Sequence, residues 1–168
     1  AGLGIEATTA GSIVGVYWLL MLVGRLIGAS IGAKVSSKSM MIGVSALGLV
    51  LILAAILSPI TTTVTLPYFG TQVPLSIVFL VLCGLCTSIM WGGVFNLAVE
   101  GLGKYTAAGA GIFMVMVCGG GIVPLIQGFV SDHFGYLNSY WVMFACIAYM
   151  MWYALVGCKN VNKDIPVE

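Results

Sequence analysis

The sequence predicts an all-α polytopic membrane protein with five transmembrane helices. Of its 168 residues, 61% are hydrophobic and only 7% are charged, whereas soluble domains carry about 25% charged residues. The apolar residues form five runs long enough to cross a bilayer, which takes about 20 residues at 1.5 Å each. Charged residues lie mainly in the gaps between these runs. Lipid is therefore the main solvent that we expect around this chain.

Five spans follow one another along residues 1–158, which we expect to form a single transmembrane bundle. Residues 159–168 then form a short polar tail. The predicted spans are 11–33, 40–57, 73–99, 107–130 and 139–157.

The first span has glycines four residues apart, at Gly24, Gly28 and Gly32, with Gly11 and Gly15 at the same spacing before them. Residues four apart share one face of a helix, and small residues let two helix backbones approach closely in lipid. The first span therefore presents a smooth packing face. The second and fifth spans carry few polar side chains, so we expect them to be lipid-facing supports.

The third span has the same four-residue spacing of small residues, at Gly84, Ser88 and Gly92. The same face continues to Asn96 and then to Glu100. A packing groove therefore leads into a polar group on this helix.

The fourth span is predicted to be irregular, because three glycines at 119–121 precede Pro124. Proline lacks an N–H and its ring clashes with the carbonyl four residues earlier, here that of Gly120. Gln127 lies about one turn further on, so a bend and an amide group share one region. Such a helix is tolerated at membrane depth only against protein or a water-filled cavity.

The basic residues indicate the orientation. Lysines occur in the gaps 34–39 and 100–106 and in the tail, whereas the gaps 60–72 and 131–138 contain no Lys or Arg. Because Lys and Arg flanking a span are retained in the cytoplasm, we expect the N-terminus outside and the C-terminus inside. The gap 60–72, rich in Thr, is then an external loop. A net charge of +1 without a basic cluster excludes nucleic acid as a partner.

Three segments resemble the C-terminal half of the fucose:proton symporter family of the major facilitator superfamily, which contains fucose and glucose/galactose permeases. They are Gly-Arg-Leu-Ile-Gly at 24–28, the stretch 88–98 around Trp91 and Asn96, and the stretch 119–132 around Pro124 and Gln127. The match covers nearly the whole chain.

The resemblance implies that the five spans are helices eight to twelve of a twelve-helix transporter, and that a separate N-terminal half completes it. It also implies proton-coupled uptake of a hexose or 6-deoxyhexose, such as fucose, glucose or galactose, by alternating access in a bacterial inner membrane. No cofactor or metal is expected. Two departures stand out: Gly92-Gly93 replaces a proline of the tenth helix, and the cytoplasmic loop motif around Arg25 lacks its Asp.

Three side chains are candidates for binding the sugar. The amides of Asn96 and Gln127 can both donate to and accept from sugar hydroxyls, but each also suits a structural hydrogen bond, between helices for Asn96 and to the freed carbonyl for Gln127. Trp91 has a ring that can stack on a pyranose, although packing is the common role of tryptophan in a span.

Five further residues have gating or structural roles in this interpretation. Arg25 is expected to snorkel or to gate the loop, and Glu100 to pair with Lys104 or Arg25 or to end its helix in solvent. The remaining three, which shape the backbone, are Gly92, Gly93 and Pro124.

Two other interpretations compete with a transporter. In the first, the chain stands alone as an oligomeric scaffold or small channel, and its glycine-rich faces are interfaces between copies. The second, an enzyme, is disfavoured because the sequence offers no nucleophile with a base and no metal constellation. The Cys83-x-x-Cys86 pair lacks polar flanks, so we interpret it as two buried thiols.

Overall fold

Helices dominate the fold of the described residues, which are 7–59, 61–65 and 72–159 in the computed structural model. The α-helices are α1 (Ala7–Gly32), α2 (Ser37–Leu57), α3 (Leu75–Val99), α4 (Thr106–Met116), α5 (Gly119–Phe134) and α6 (Tyr140–Trp152). A 3₁₀ turn at Gly103–Tyr105 leads into α4, and a π-helical turn at Tyr153–Gly157 extends α6. Within the described part, five helical segments are long and apolar enough to cross a membrane, with α4 and α5 counted as one.

Helices α2 and α3 are joined by a short β-hairpin, where the sequence predicted only an external loop. Strand β1 (Thr63–Thr65) pairs antiparallel with β2 (Gln72–Pro74), with Val64 opposite Val73. Alternating Thr and Val favour an extended backbone here. The rest of the predicted external loop, residues 66–71, lies outside the described residues, as do residue 60 and residues 160–168 of the predicted tail.

The centre of the bundle is α3, which packs against α1 on one side and against α2 on the other, while α2 also packs against α6. The core between these helices contains Met41, Ile52, Cys86, Met90 and Ile147, each at most 4% exposed. The second and fifth spans each pack one face against this core, and other faces carry exposed apolar side chains such as Val50 and Trp141, so their role as lipid-facing supports stays a prediction. Small residues let α2 pack closely although it carries few polar side chains. At Gly48, an added Cβ would lie 3.3 Å from the Met90 methyl carbon.

The predicted glycine face of the first span is confirmed at Gly24 and Gly28, which are buried against α3. A Cβ at Gly24 would lie 2.8 Å from the Leu85 carbonyl oxygen, so the two backbones are in direct contact. The Ser88 hydroxyl donates to the Met21 carbonyl at 2.6 Å across the same interface. At Gly32, the one described atom within 4 Å of an added Cβ is the Met40 methyl carbon, at 3.8 Å.

The fourth span is irregular, as predicted, but its helix is interrupted before the glycines and not at Pro124. Helix α4 ends at Met116 and α5 begins at Gly119, and the Gly120 N–H bonds to the Val117 carbonyl at 2.8 Å in a tight turn. Pro124 lies inside α5 and leaves the Gly120 carbonyl without its usual donor. No residue of 103–134 is buried against the rest of the described chain, so this span is the most loosely held.

At the opposite end of the bundle from the hairpin, a lysine joins two helices. Lys38, in the first turn of α2, donates from Nζ to the Leu155 carbonyl at 3.4 Å. Ser36 caps the same helix by accepting from the Ser39 N–H at 3.3 Å. A cation near the last carbonyls of a helix complements its dipole, so Lys38 stabilises the end of the fifth span.

Candidate functional site

A cavity of about 520 Å³ lies between α1, α2, α3, α5 and α6. Its walls come from the first halves of α1, α3 and α6 and from the later parts of α2 and α5. In an up-and-down bundle these parts meet at one end, which is the end that carries the β-hairpin. The volume falls within the roughly 300–1,000 Å³ of small-molecule sites.

One polar pair of the cavity joins α1 to α3. The Tyr17 hydroxyl lies 3.3 Å from Thr87 Oγ1, and Thr87 Oγ1 also lies 3.1 Å from the Cys83 carbonyl and 3.2 Å from that of Gly84. A hydroxyl has one hydrogen to donate. Thr87 donates it to its own helix, so Tyr17 donates to Thr87 and keeps its lone pairs for a ligand.

Gly84 explains why the Tyr17 ring fits between the two helices. A Cβ added at Gly84 would lie 3.0 Å from Tyr17 Cδ2. The predicted small face of the third span therefore receives an aromatic ring at this point and fixes the direction of its hydroxyl.

A second polar pair lies where α5 turns into α6. The hydroxyls of Tyr136 and Tyr140 are 2.8 Å apart, and their rings meet edge to face at 5.4 Å. Gly135, with φ of +92°, ends α5 and turns the chain, a conformation that glycine adopts without strain. Asn138 then donates to the Phe134 carbonyl at 2.8 Å, which holds the turn.

Gln127 is the one predicted sugar-binding residue that lines this cavity. It is half-buried on α5, and its amide makes no hydrogen bond to another described residue. An amide side chain has two donors and one acceptor oxygen. These groups are available to a bound polar molecule.

The other two predicted sugar-binding residues lie away from the cavity, in the other half of α3. Asn96 is exposed and makes no side-chain hydrogen bond within the described residues. Trp91 is 46% exposed and packs edge-on against Phe113 at 5.7 Å, and Phe95 meets the same ring at 5.3 Å. This aromatic contact joins α3 to α4, and stacking of Trp91 on a sugar stays a prediction beside its role in packing.

The residues predicted to gate or shape the bundle also differ in their surroundings. Arg25 is exposed, and Glu100 ends α3 as an exposed residue. The pairing considered for Glu100 is absent from the described part of the chain, where Lys104 instead lies 5.2 Å from the Tyr105 ring centre. Gly93 is buried, with the Met41 sulfur 3.2 Å from an added Cβ, whereas Gly92 is exposed and a Cβ added there would have no described atom within 4 Å.

Sequence reasoning missed four polar residues of the cavity, namely Tyr17, Thr87, Tyr136 and Tyr140. Their only signal is a hydroxyl within or beside an apolar run. That signal does not tell which hydroxyls meet, because each pair depends on how helices or turns are placed.

Helices of this length and composition around a cavity with a few hydroxyl and amide groups define a multi-pass membrane protein. The chain is 32% identical over 157 residues to the glucose/galactose transporter of Brucella abortus, a match that covers 94% of this chain and 35% of the relative. It is 28% identical over 167 residues to a putative glucose/galactose transporter of Helicobacter pylori, covering 96% of this chain and 38% of the relative.

A shorter match links the chain to the L-fucose-proton symporter of Escherichia coli, at 37% identity over 59 residues, or 35% of this chain and 14% of the relative. These matches, two of them along nearly the whole chain, support a sugar permease family for this chain. It spans about a third of the length of the two glucose/galactose transporters named above. No protein-family model and no solved structure matches it.

Proposed function

We propose that this chain is the C-terminal part of a sugar transporter, corresponding to helices eight to twelve of a twelve-helix protein. The transporter takes up a hexose or 6-deoxyhexose together with protons, by alternating access, in a bacterial inner membrane. The observation that carries the proposal is the alignment of 94% of the chain with a glucose/galactose transporter. The cavity at Gln127 adds a place where a polar solute fits.

The charge pattern supports an orientation for this transporter. Lys38 lies at the end of the bundle opposite the cavity, and Lys34, Lys104 and Lys159 lie in gaps on that same side of the predicted spans. By the positive-inside rule that end faces the cytoplasm. The cavity then belongs to the outer half of the membrane, where a sugar arriving from outside is bound first.

The polar groups of the cavity suit part of a sugar. Gln127 offers its amide, and Tyr17 keeps free lone pairs while it donates to Thr87. A hexose carries several hydroxyl groups, and each one buried without a partner is costly. The remaining hydroxyls therefore bind residues in the rest of the transporter.

The coupling proton also requires groups from elsewhere in the transporter. Among the described residues, the carboxylates Glu100 and Asp132 are exposed near the ends of their helices. A proton relay uses ionisable side chains within the membrane, facing a cavity. We therefore assign proton coupling to the other half of the transporter.

Substitution of Gln127 tests the role of the cavity. In the full-length protein we expect Gln127→Leu to raise the KM for sugar uptake by about tenfold, which corresponds to the loss of about one hydrogen bond. Gln127→Asn, which keeps an amide, should recover part of this loss, and accumulation in the membrane should stay unchanged. An unaltered KM in Gln127→Leu would argue against contact with the sugar.

The alternative function is a self-standing oligomeric scaffold or small channel. It is favoured by glycines with open space around them in the described chain, such as Gly11, Gly15, Gly111 and Gly128, which suit an interface between copies. The intact mass of the native product from membranes separates the two functions. A mass well over twice 17.6 kDa supports the transporter, and a mass near 17.6 kDa supports the alternative.

A further inference from the structure

The floor and the rim of the cavity differ in chemistry. The floor is formed by Ile52, Cys83 and Ile147, which are only 3%, 6% and 4% exposed. The hydroxyl and amide groups belong to lining residues that are half-buried or exposed, namely Tyr17, Thr87, Gln127, Tyr136 and Tyr140. The most buried part of the lining is therefore apolar, and the polar groups lie in the less buried part among further apolar side chains such as Val14 and Met143.

A free hexose uses only part of such a cavity. Its hydroxyls find partners at the rim, but against the floor they would lose water and gain no hydrogen bond. A molecule with a polar ring and an apolar substituent matches both regions at once. The volume of about 520 Å³ is ample for such a molecule.

We propose that the cavity binds alkyl glycosides, with the sugar ring at Gln127 and the tyrosine hydroxyls and the alkyl chain on the floor. Such compounds compete with the free sugar and bind more tightly as the chain grows. This inference rests on the proposed sugar transport for the identity of the ring. The alkyl site itself rests on the apolar floor.

The first test is inhibition of sugar uptake by the full-length protein with methyl, ethyl, propyl and butyl glycosides of the transported sugar. Complete burial of a methylene strengthens binding by about fourfold, so the inhibition constant should fall by up to that factor per added carbon. Val81→Phe adds bulk to a half-buried wall and should flatten this dependence. Equal inhibition by the methyl and butyl compounds would overturn the proposal.

A second test needs no transport and uses the two buried thiols of α3. Cys83 lines the cavity, whereas Cys86, three residues on and 2% exposed, lies 3.8 Å from a Cβ added at Gly48 on α2. In full-length variants that keep one of these cysteines as their sole cysteine, we measure the rate of maleimide labelling. The butyl glycoside should slow labelling of Cys83 several-fold more than the methyl glycoside does, and should leave Cys86 unchanged.

The outcomes separate this proposal from the transport function. Protection of Cys83 that is equal for the methyl and butyl compounds, or is matched by butanol alone, would refute an alkyl glycoside site. Absence of sugar uptake with selective protection of Cys83 would refute sugar transport and leave the alkyl glycoside site standing. Sugar uptake without selective protection of Cys83 would refute the alkyl glycoside site and leave sugar transport standing.

Discussion

Replacing Gly24 with alanine is the sharpest probe of how the bundle is held together. The new Cβ would lie 2.8 Å from the Leu85 carbonyl oxygen and 3.1 Å from the Leu85 Cα, and both atoms are backbone. An ordinary contact begins at 3.4 Å, so α1 and α3 must separate by about 0.6 Å (3.4 − 2.8). Such overpacking costs about 1–3 kcal/mol. The separation also stretches the Ser88–Met21 hydrogen bond at the same interface.

Alanine substitutions at two other glycines should have smaller effects on stability. A Cβ at Gly28 would lie 3.0 Å from Ile89 Cγ1, a side-chain atom that can move, so Gly28→Ala should cost less than Gly24→Ala. Gly43 on α2 has nothing within 4 Å among the described residues, so Gly43→Ala should be neutral or stabilising, since alanine favours helix.

The assay is reversible unfolding of the purified full-length protein in mixed detergent and dodecyl sulfate, followed by circular dichroism. We expect the free energy of unfolding to fall by about 1–3 kcal/mol in Gly24→Ala relative to Gly43→Ala, with Gly28→Ala between them. Equal stability of Gly24→Ala and Gly43→Ala would refute direct backbone contact between α1 and α3.

Three further predictions concern single side chains. Ser88→Ala removes the hydrogen bond to the Met21 carbonyl and should lower the free energy of unfolding by about 0.6–1 kcal/mol in the same assay; an unchanged value would contradict that bond. Asn96→Ala should abolish sugar uptake while membrane insertion stays intact, and normal uptake would remove Asn96 from the sugar pathway. In a variant with Trp91 as its only tryptophan, sugar that stacks on the indole ring should change the fluorescence, whereas an unaffected signal would leave Trp91 a packing residue.

The helices were predictable because hydropathy and length are local properties of a sequence. The packing face of α1 was also predictable, since the spacing of Gly24 and Gly28 allows close approach on one face of the helix. Which helices become neighbours was not predictable from the sequence. An apolar residue such as Met41 serves equally well against lipid or protein, so the pattern did not reveal that α2 packs between α3 and α6.

The cavity was harder to predict than the helices. Gln127 stood out as an amide beside Pro124, and it does line the cavity. The Tyr136–Tyr140 pair depends on the turn at Gly135, and the Tyr17–Thr87 pair depends on the register of α1 against α3. The first pair depends on the conformation of a turn and the second on two helices that are distant in the sequence, and composition and spacing encode neither relation.

Sugar uptake by the purified full-length protein in sealed proteoliposomes is the most direct test of the proposed transport. With an inward proton gradient, we expect saturable accumulation of labelled glucose, galactose or fucose above equilibrium, and loss of this accumulation when the gradient is collapsed. A non-saturable leak that ignores the gradient, or no sugar movement in liposomes that hold folded protein, would contradict a proton-coupled sugar transporter.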